Sequence, residues 1–123
     1  MQYNIAPSDD QTYIHLTIDG NFTGKDMMMC VMDSHSLGIR MDIHAYLVDV
    51  RNARNVDSAT GNFEFANAEM KSAEGVDTLA RVAGLITPGD QSHDFAVTVC
   101  TNAGMHLKLF TDISEALRYI LKN

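Results

Sequence analysis

The sequence has few basic residues for its length. Nine Lys and Arg stand against sixteen Asp and Glu among 123 residues, which gives a formal net charge of -7. Proteins bind nucleic acids and anionic membrane surfaces through basic faces that release counterions. This deficit of positive charge disfavours both partners, and we expect no nucleic-acid binding.

Long apolar runs are also lacking, and none approaches the roughly 18 residues of a membrane-spanning helix. We therefore expect no membrane insertion. The first ten residues, MQYNIAPSDD, have neither the basic region nor the apolar core of a signal peptide. The two cysteines, Cys30 and Cys100, lie in apolar helical patterns, which is typical of buried thiols in a reducing compartment. Together these features predict a cytoplasmic protein.

Catalytic signatures are absent as well. The sequence contains no G-x-S-x-G, Walker-type or G-x-G-x-x-G motif. Its five histidines have neither the i, i+4 helical spacing nor the tight loop spacing of a metal site. We therefore expect no metal, no other cofactor and a non-enzymatic role. His93 with Asp94 is the best acid–base candidate, although polar residues at a helix start need no catalytic explanation.

The stretch that organises the chain covers residues 44–61, HAYLVDVRNARNVDSATG. Its apolar run, AYLVDV, contains one acid and predicts a strand that is buried on both faces, as in a parallel sheet. Residues 51–55 are predicted to form a loop, and Asp57 or Ser58 then caps a helix. Open α/β sheets bind ligands at the carboxyl ends of their strands, so this loop is the predicted contact region.

The remaining elements follow from hydrophobic periodicity and capping residues. Strands are predicted at residues 1–6, 13–18, 41–50, 81–86 and 106–110. Helices are predicted at about 24–36 with Thr23 as N-cap, after Asp57 or Ser58, after Asp90 or Ser92, and after Asp112. The predicted core stripe of the first helix is Met28, Val31, Met32 and His35, and Gly38 is its predicted stop. Strands that alternate with helices imply right-handed crossovers. We predict one α/β domain over residues 1–123: a mixed five-stranded, mostly parallel sheet with an N-terminal β-hairpin and four main helices.

Two segments resemble known sequences. Residues 46–61, YLVDVRNARNVDSATG, look like the signature of STAS domains, the anti-sigma-factor antagonist fold. In that signature a buried strand ending in Asp precedes a loop and a D-S-S-G helix start. Residues 104–121, which include LFTDISEALRYIL, resemble the closing strand and helix of SpoIIAA-like small bacterial proteins. That group is related in structure to STAS domains and to the lipid-binding CRAL-TRIO fold. The resemblance implies a SpoIIAA/STAS-like architecture.

The STAS resemblance also bears on phosphorylation. In STAS antagonists the second serine of D-S-S-G is phosphorylated. Asp57 and Ser58 match the first two positions, but Ala59 stands at the phosphoacceptor position, followed by Thr60. Ala59 has no hydroxyl, so a phosphorylation-dependent partner switch would have to use Ser58 or Thr60.

The predicted contact residues fall into two groups. A partner- or anion-binding loop comprises Asp49, Arg51, Arg54, Asp57, Ser58 and Thr60. There, the free N–H groups of a helix start and two guanidinium groups favour an anion. Alternatively, Asp57 or Ser58 only caps the helix, the arginines are solvated, and Asp49 accepts loop N–H bonds.

The second group is the methionines of the first helix. Met27, Met28, Met29 and Met32 cannot all lie on one helical stripe, so some must face away from the core. Exposed apolar clusters mark contacts, which here predicts a homodimer surface, an apolar ligand or a neighbouring loop.

Three functional hypotheses follow. The leading one is a non-enzymatic regulatory or protein-interaction module of STAS/SpoIIAA-like type, acting as a homodimer through residues 51–61 and the methionine-rich helix. The alternative is a small carrier of an apolar, lipid-like ligand held between that helix and the sheet. The third is a phosphorylation-dependent partner switch at Ser58 or Thr60.

Overall fold

The computed structural model describes residues 1–56, 79–94 and 106–121. In these ranges the elements are β1 (Gln2–Pro7), β2 (Ile14–Phe22), α1 (Gly24–Met41), β3 (Ala45–Asn55), β4 (Arg81–Leu85), β5 (His106–Phe110) and α2 (Ile113–Ile120). Two of the four predicted helices are therefore present. The other two, after Asp57 or Ser58 and after Asp90 or Ser92, were predicted mainly on residues 57–78 and 95–105, outside the described residues.

The five strands form one mixed sheet in the order β1-β2-β3-β4-β5. β1 pairs antiparallel with β2, and the other three pairings are parallel. The predicted N-terminal hairpin and mostly parallel sheet are confirmed. β3 is the middle strand, and Tyr46 and Leu47 on it are buried. Successive side chains of a strand point to opposite faces, so their burial means that both faces of β3 are covered, as predicted.

The two described helices pack on opposite faces of the sheet. On one face, α1 contributes Cys30 to a core with Leu16, Ile18 and Val50. On the other face, α2 packs against residues of β3 and β4; this core comprises Ala45, Leu47, Ala83, Leu85, Ala116 and Ile120. Neither described helix combines the length and the apolar composition that a membrane crossing needs.

β2 and β3 both extend beyond their predicted ends. β2 continues to Phe22, with a register shift between Thr17 and Asp19, and β3 continues to Asn55. The prediction of a loop at residues 51–55 is therefore wrong. The polar composition RNARN indicated a loop, but residues 52–55 pair with residues 19–22 of β2, which gives their backbone polar groups partners in a ladder.

α1 also runs further than predicted. Its N-terminus agrees with the prediction: Thr23 is the N-cap, its hydroxyl accepts the backbone N–H of Asp26, and the Asp26 carboxylate accepts the N–H of Thr23. Its end does not, because α1 passes through Gly38 and ends at Met41, with Asp42 as a left-handed C-cap. Position 38 is inside the helix and is occupied by glycine because a Cβ there would overlap the hydroxyl of Tyr46.

The core face of α1 agrees with the predicted stripe at His35, whereas its other buried residues lie beside that stripe. Cys30, Ser34 and His35 are buried, and the predicted core residues Val31 and Met32 are only half-buried. His35 contacts Tyr46, with ring centroids 4.5 Å apart. Small side chains at positions 30, 34 and 38 let the helix approach the sheet closely, so they face it in place of the larger methionines.

Candidate functional site

The segment that follows β4 crosses the carboxyl ends of β2 and β3. Thr87 Oγ1 donates to the backbone oxygen of Arg51 at 2.9 Å, and the backbone N–H of Asn55 donates to Ser92 Oγ at 3.3 Å. These bonds hold the segment against the end of β3. We call the residues Arg51, Arg54, Asp90, Ser92 and His93 the carboxyl-edge site.

His93 is the buried centre of this site. Only 3% of the residue is exposed, and its ring stacks on Phe22. Burial lowers the pKa of His93, while Asp90 and the backbone carbonyl of Ala53 act in the opposite direction and only partly offset it. The imidazole is therefore mainly neutral at pH values near 7.

The Nε2 atom of His93 faces a carboxylate without a hydrogen bond. It lies 3.4 Å from Asp90 Oδ2, within ion-pair distance, but the angles do not suit a hydrogen bond and the atom is buried. Asp90 accepts the backbone N–H of Ser92 at 2.9 Å, and its hydrogen bonds to Ser92 lower the pKa of Asp90. The neutral imidazole of His93 thus lies beside the ionised carboxylate of Asp90, and the imidazole is shielded from solvent.

Asp49 and Arg51 form an ion pair on one face of β3. Arg51 donates to Asp49 from Nε at 3.0 Å, from Nη2 at 2.8 Å and from its backbone N–H at 3.1 Å. Burial acts to raise the pKa of Asp49, but the hydrogen bonds and charge of Arg51 outweigh it, and the pKa lies below the ordinary value. Both arginines of the carboxyl-edge site are exposed, but Arg51 is already bound to the carboxylate of Asp49.

The remaining members of the predicted contact loop lie outside the described residues. These are Asp57, Ser58 and Thr60. Whether they join Arg51 and Arg54 at the carboxyl edge, and whether Ser58 or Thr60 accepts a phosphate, stay predictions.

The methionines of α1 divide between the core and the surface. Met27 packs against the core beside Phe22 and Cys30, and Met32 is half-buried. Met29 is 46% exposed, and the side chain of Met28 is outside the described part of the chain. Met29 is therefore the methionine of α1 that is most available to a partner among those described.

The architecture is similar to that of a solved structure. That structure is an uncharacterized protein of the DUF3478 family with a SpoIIAA-like fold from Shewanella loihica PV-4, with a TM-score of 0.58 and 18% sequence identity. The alignment covers 97% of this chain and 92% of that chain. The chain has a SpoIIAA-like fold. This confirms the predicted SpoIIAA-like fold, and at this identity the likeness shows the fold alone. No protein-family model matches the chain, and no curated protein matches it in sequence.

Within the SpoIIAA-like fold, the carboxyl-edge site was only partly visible in the sequence. His93 was predicted as the best acid–base candidate, and Asp90 and Ser92 were predicted only as helix caps. The role of Phe22 was missed, because its contact with His93 joins residues that are far apart in the chain.

The SpoIIAA-like fold also has a cleft at the opposite edge of the sheet, where β3 and β4 begin. Its volume is about 500 Å³. Its lining includes the apolar Leu79, which is 70% exposed, and Leu121, which is 41% exposed, together with Asp42 and Arg81. The sequence contained no signal for this cleft, because segments distant in sequence form it.

Proposed function

We propose that the protein is a non-enzymatic regulatory or protein-interaction module of SpoIIAA-like type, which binds a protein partner at the carboxyl-edge site and acts as a homodimer. The observation that carries the proposal is that hydrogen bonds fix Arg51, Asp90 and Ser92 of this site, whereas Arg54 is exposed beside them. Asp49 binds Arg51, Asp90 binds Ser92, and Thr87 binds the Arg51 carbonyl.

A surface held in this way loses little conformational freedom when a partner binds. Beside the fixed groups, Arg54 is exposed and Val56 is 50% exposed. An exposed arginine next to an exposed aliphatic side chain is a combination that protein interfaces use. These two residues are the ones we expect a partner to contact.

The burial of His93 supports the non-enzymatic part of the proposal. A general base must come within about 3.2 Å of the proton that it removes, directly or through a water molecule. The Nε2 atom of His93 has almost no accessible surface and faces Asp90. A substrate would have to displace the segment that carries His93 before it could reach this atom.

The test is quantitative affinity purification of tagged protein from its own cells. We would compare the wild type, the double variant Arg54→Glu/Val56→Asp, and the control Arg118→Glu/Ile113→Asp. The control makes equivalent chemical changes, again at an arginine and a β-branched aliphatic residue, at exposed positions of α2. The proposal is supported if Arg54→Glu/Val56→Asp loses a partner that the wild type and the control both retain. The reciprocal experiment must also recover that partner. The same set of partners for all three proteins contradicts it.

A carrier of an apolar ligand is the second candidate function, and the cleft favours it. Ligand sites typically have volumes of about 300–1,000 Å³, and the cleft falls in this range with a lining of five apolar and six polar residues. The carrier hypothesis placed the ligand between α1 and the sheet, but there Gly38, His35 and Tyr46 pack closely together. The cleft lined by Leu79 and Leu121 is the better location.

Native mass spectrometry of gently purified protein tests the carrier function. A reproducible additional mass that disappears on denaturation, and is reduced by Leu79→Asp, would support it. A single unliganded mass in repeated preparations would contradict it. Val56→Asp, which makes the same change at the opposite edge of the sheet, is the matched control.

A further inference from the structure

One row of α1 side chains faces solvent. Lys25, Met29 and Asp33 lie at positions i, i+4 and i+8, and all three are exposed. The residues that follow Met29 and Asp33 in the chain are buried against the sheet; they are Cys30 and Ser34. Rows of residues spaced by four are the ridges through which helices pack on one another.

The charges of this row have opposite signs on either side of Met29. Lys25 lies about one turn before it and Asp33 about one turn after it. A two-fold axis through Met29 would set two copies of α1 antiparallel and put Lys25 of each copy opposite Asp33 of the other. A parallel pair in register would instead bring like charges together. The row is therefore complementary to itself in one orientation.

Asp33 is held in position by the edge strand of the sheet. The hydroxyl of Tyr3 donates to Asp33 Oδ2 at 2.7 Å. Its other oxygen, Oδ1, can accept a hydrogen bond from an ammonium group. Tyr3 and Met1 are themselves exposed, so β1 adds exposed large side chains on the side of the row that Asp33 contacts.

We propose that this row is the interface of a homodimer, with a second copy of the chain packed antiparallel across Met29. The inference deepens the homodimer part of the proposed function and rests on it. At a formal net charge of -7, two copies repel each other over most of their surfaces. The row from Lys25 to Asp33 sums to zero charge, and its antiparallel arrangement converts repulsion into two ion pairs.

Charge reversal tests the interface. Sedimentation equilibrium over a dilution series would be recorded for the wild type, Lys25→Glu, Asp33→Lys and the double variant. Each single reversal replaces two attractive contacts with two repulsive ones, so we expect the dimer dissociation constant to rise about tenfold. The double variant exchanges both signs and restores the complementarity, so its constant should return to within about threefold of the wild-type value.

The controls make the same charge changes away from the row. Arg40→Glu alters a basic residue on the same helix, and Asp9→Lys alters an acidic residue in the turn after β1; both are exposed. Neither should change the dissociation constant by more than about twofold. Met29→Glu is a further variant, which places two like charges on the axis and should give a monomer with an unchanged circular dichroism spectrum.

Three results would overturn the inference. They are a wild-type protein that is monomeric at every concentration, a dimer that tolerates both single reversals, and a double variant that stays as weak as the single ones. The carboxyl-edge site is tested separately by Arg54→Glu/Val56→Asp. A partner that depends on Arg54 and Val56 would therefore survive failure of this dimer, and the two failures are distinguishable.

Discussion

The imidazole of His93 lies nearly parallel to the ring of Phe22, with centroids 5.7 Å apart and planes inclined by 16°. Phe22 ends β2 and His93 follows β4, so this contact joins the carboxyl ends of strands that are not neighbours in the sheet. Because His93 is a titratable group at this junction, we expect the stability of the carboxyl-edge site to depend on pH.

We expect the protein to lose stability as the pH falls below about 6.5, the ordinary pKa of histidine. Burial lowers the pKa of His93 in the folded chain, so between the two values the unfolded chain binds more protons. The contribution of neutral His93 to the free energy of unfolding is therefore complete at pH values above the unfolded-state pKa. It is lost as the pH falls towards the folded-state pKa. Urea unfolding at several pH values between about 5 and 8 measures this loss.

Two variants separate His93 from the other titrating groups. His93→Phe keeps an aromatic ring against Phe22 and removes the proton, so its unfolding free energy should fall less steeply over this range than that of the wild type. His106→Gln changes an exposed histidine of β5 and should keep the wild-type slope. Equal slopes for wild type and His93→Phe would show that His93 does not cause the effect.

Gly38→Ala should destabilise the protein, contrary to helix propensity. Alanine in place of glycine inside a helix ordinarily stabilises by about 1 kcal/mol. At Gly38, however, a Cβ would overlap the hydroxyl of Tyr46 and lie 2.7 Å from the carbonyl oxygen of Ile43. Overpacking of this kind costs about 1–3 kcal/mol. Denaturant unfolding measures the change.

The control for Gly38→Ala lies on the exposed side of the same helix. Ser36→Ala should change the free energy of unfolding by less than about 0.5 kcal/mol. If Gly38→Ala were as stable as the wild type, the close packing of α1 against Tyr46 would be disproved.

The sequence was most informative where one local pattern decided the structure. The apolar run AYLVDV predicted the buried central strand, and the Thr23–Asp26 capping box predicted the start of α1. Residues 106–110 were predicted as a strand with the observed bounds. In each case burial or capping depends on residues close together in the chain.

The sequence was least informative where a distant partner decided the structure. Residues 51–55 have a polar composition typical of a loop, and only pairing with β2 makes them a strand. Glycine is a common helix stop, and only the contact with Tyr46 shows that Gly38 serves close packing inside the helix instead. The carboxyl-edge site has the same character, since Phe22 and His93 meet through the sheet. Local composition does not predict contacts between residues that are far apart in the chain.

The Asp49–Arg51 pair should contribute to stability as a coupled unit. Their bonds are bidentate and the side chain of Asp49 is largely shielded, so we expect a favourable coupling free energy that clearly exceeds that of two charges without contact. A double-mutant cycle with Asp49→Asn and Arg51→Met, followed by urea unfolding, measures it. Asp10 and Arg40, which form no ion pair with each other in the described part of the chain, give the control cycle.

The sign of the pH effect on Asp49 follows from its lowered pKa. The folded-state pKa of Asp49 lies below the unfolded-state value of about 4. The contribution of ionised Asp49 to the free energy of unfolding is therefore complete above the unfolded-state pKa and is lost as the pH falls through the folded-state pKa. The coupling free energy should therefore shrink in acid. A cycle with no coupling at pH 7, or one that strengthens in acid, would contradict the ion pair.

The thiol of Cys30 should be inert in the folded protein. Burial, together with the negative charges of Asp33 and Asp26, raises the pKa of Cys30 to about 11, and the side chain has no exposed surface. The thiolate is the reactive form, and at pH 8 this pKa leaves only about one thiol in a thousand ionised.

In a Cys100→Ser background, we expect Cys30 to react with an aromatic disulfide reagent only as fast as the fold opens, and rapidly once urea unfolds the chain. An exposed thiol on the same helix, made by Ser36→Cys with Cys30→Ala and Cys100→Ser, is the matched control. If Cys30 reacted in the native protein as fast as that control, α1 could not be packed on the sheet through Cys30, and Met29 would lose its fixed outward position.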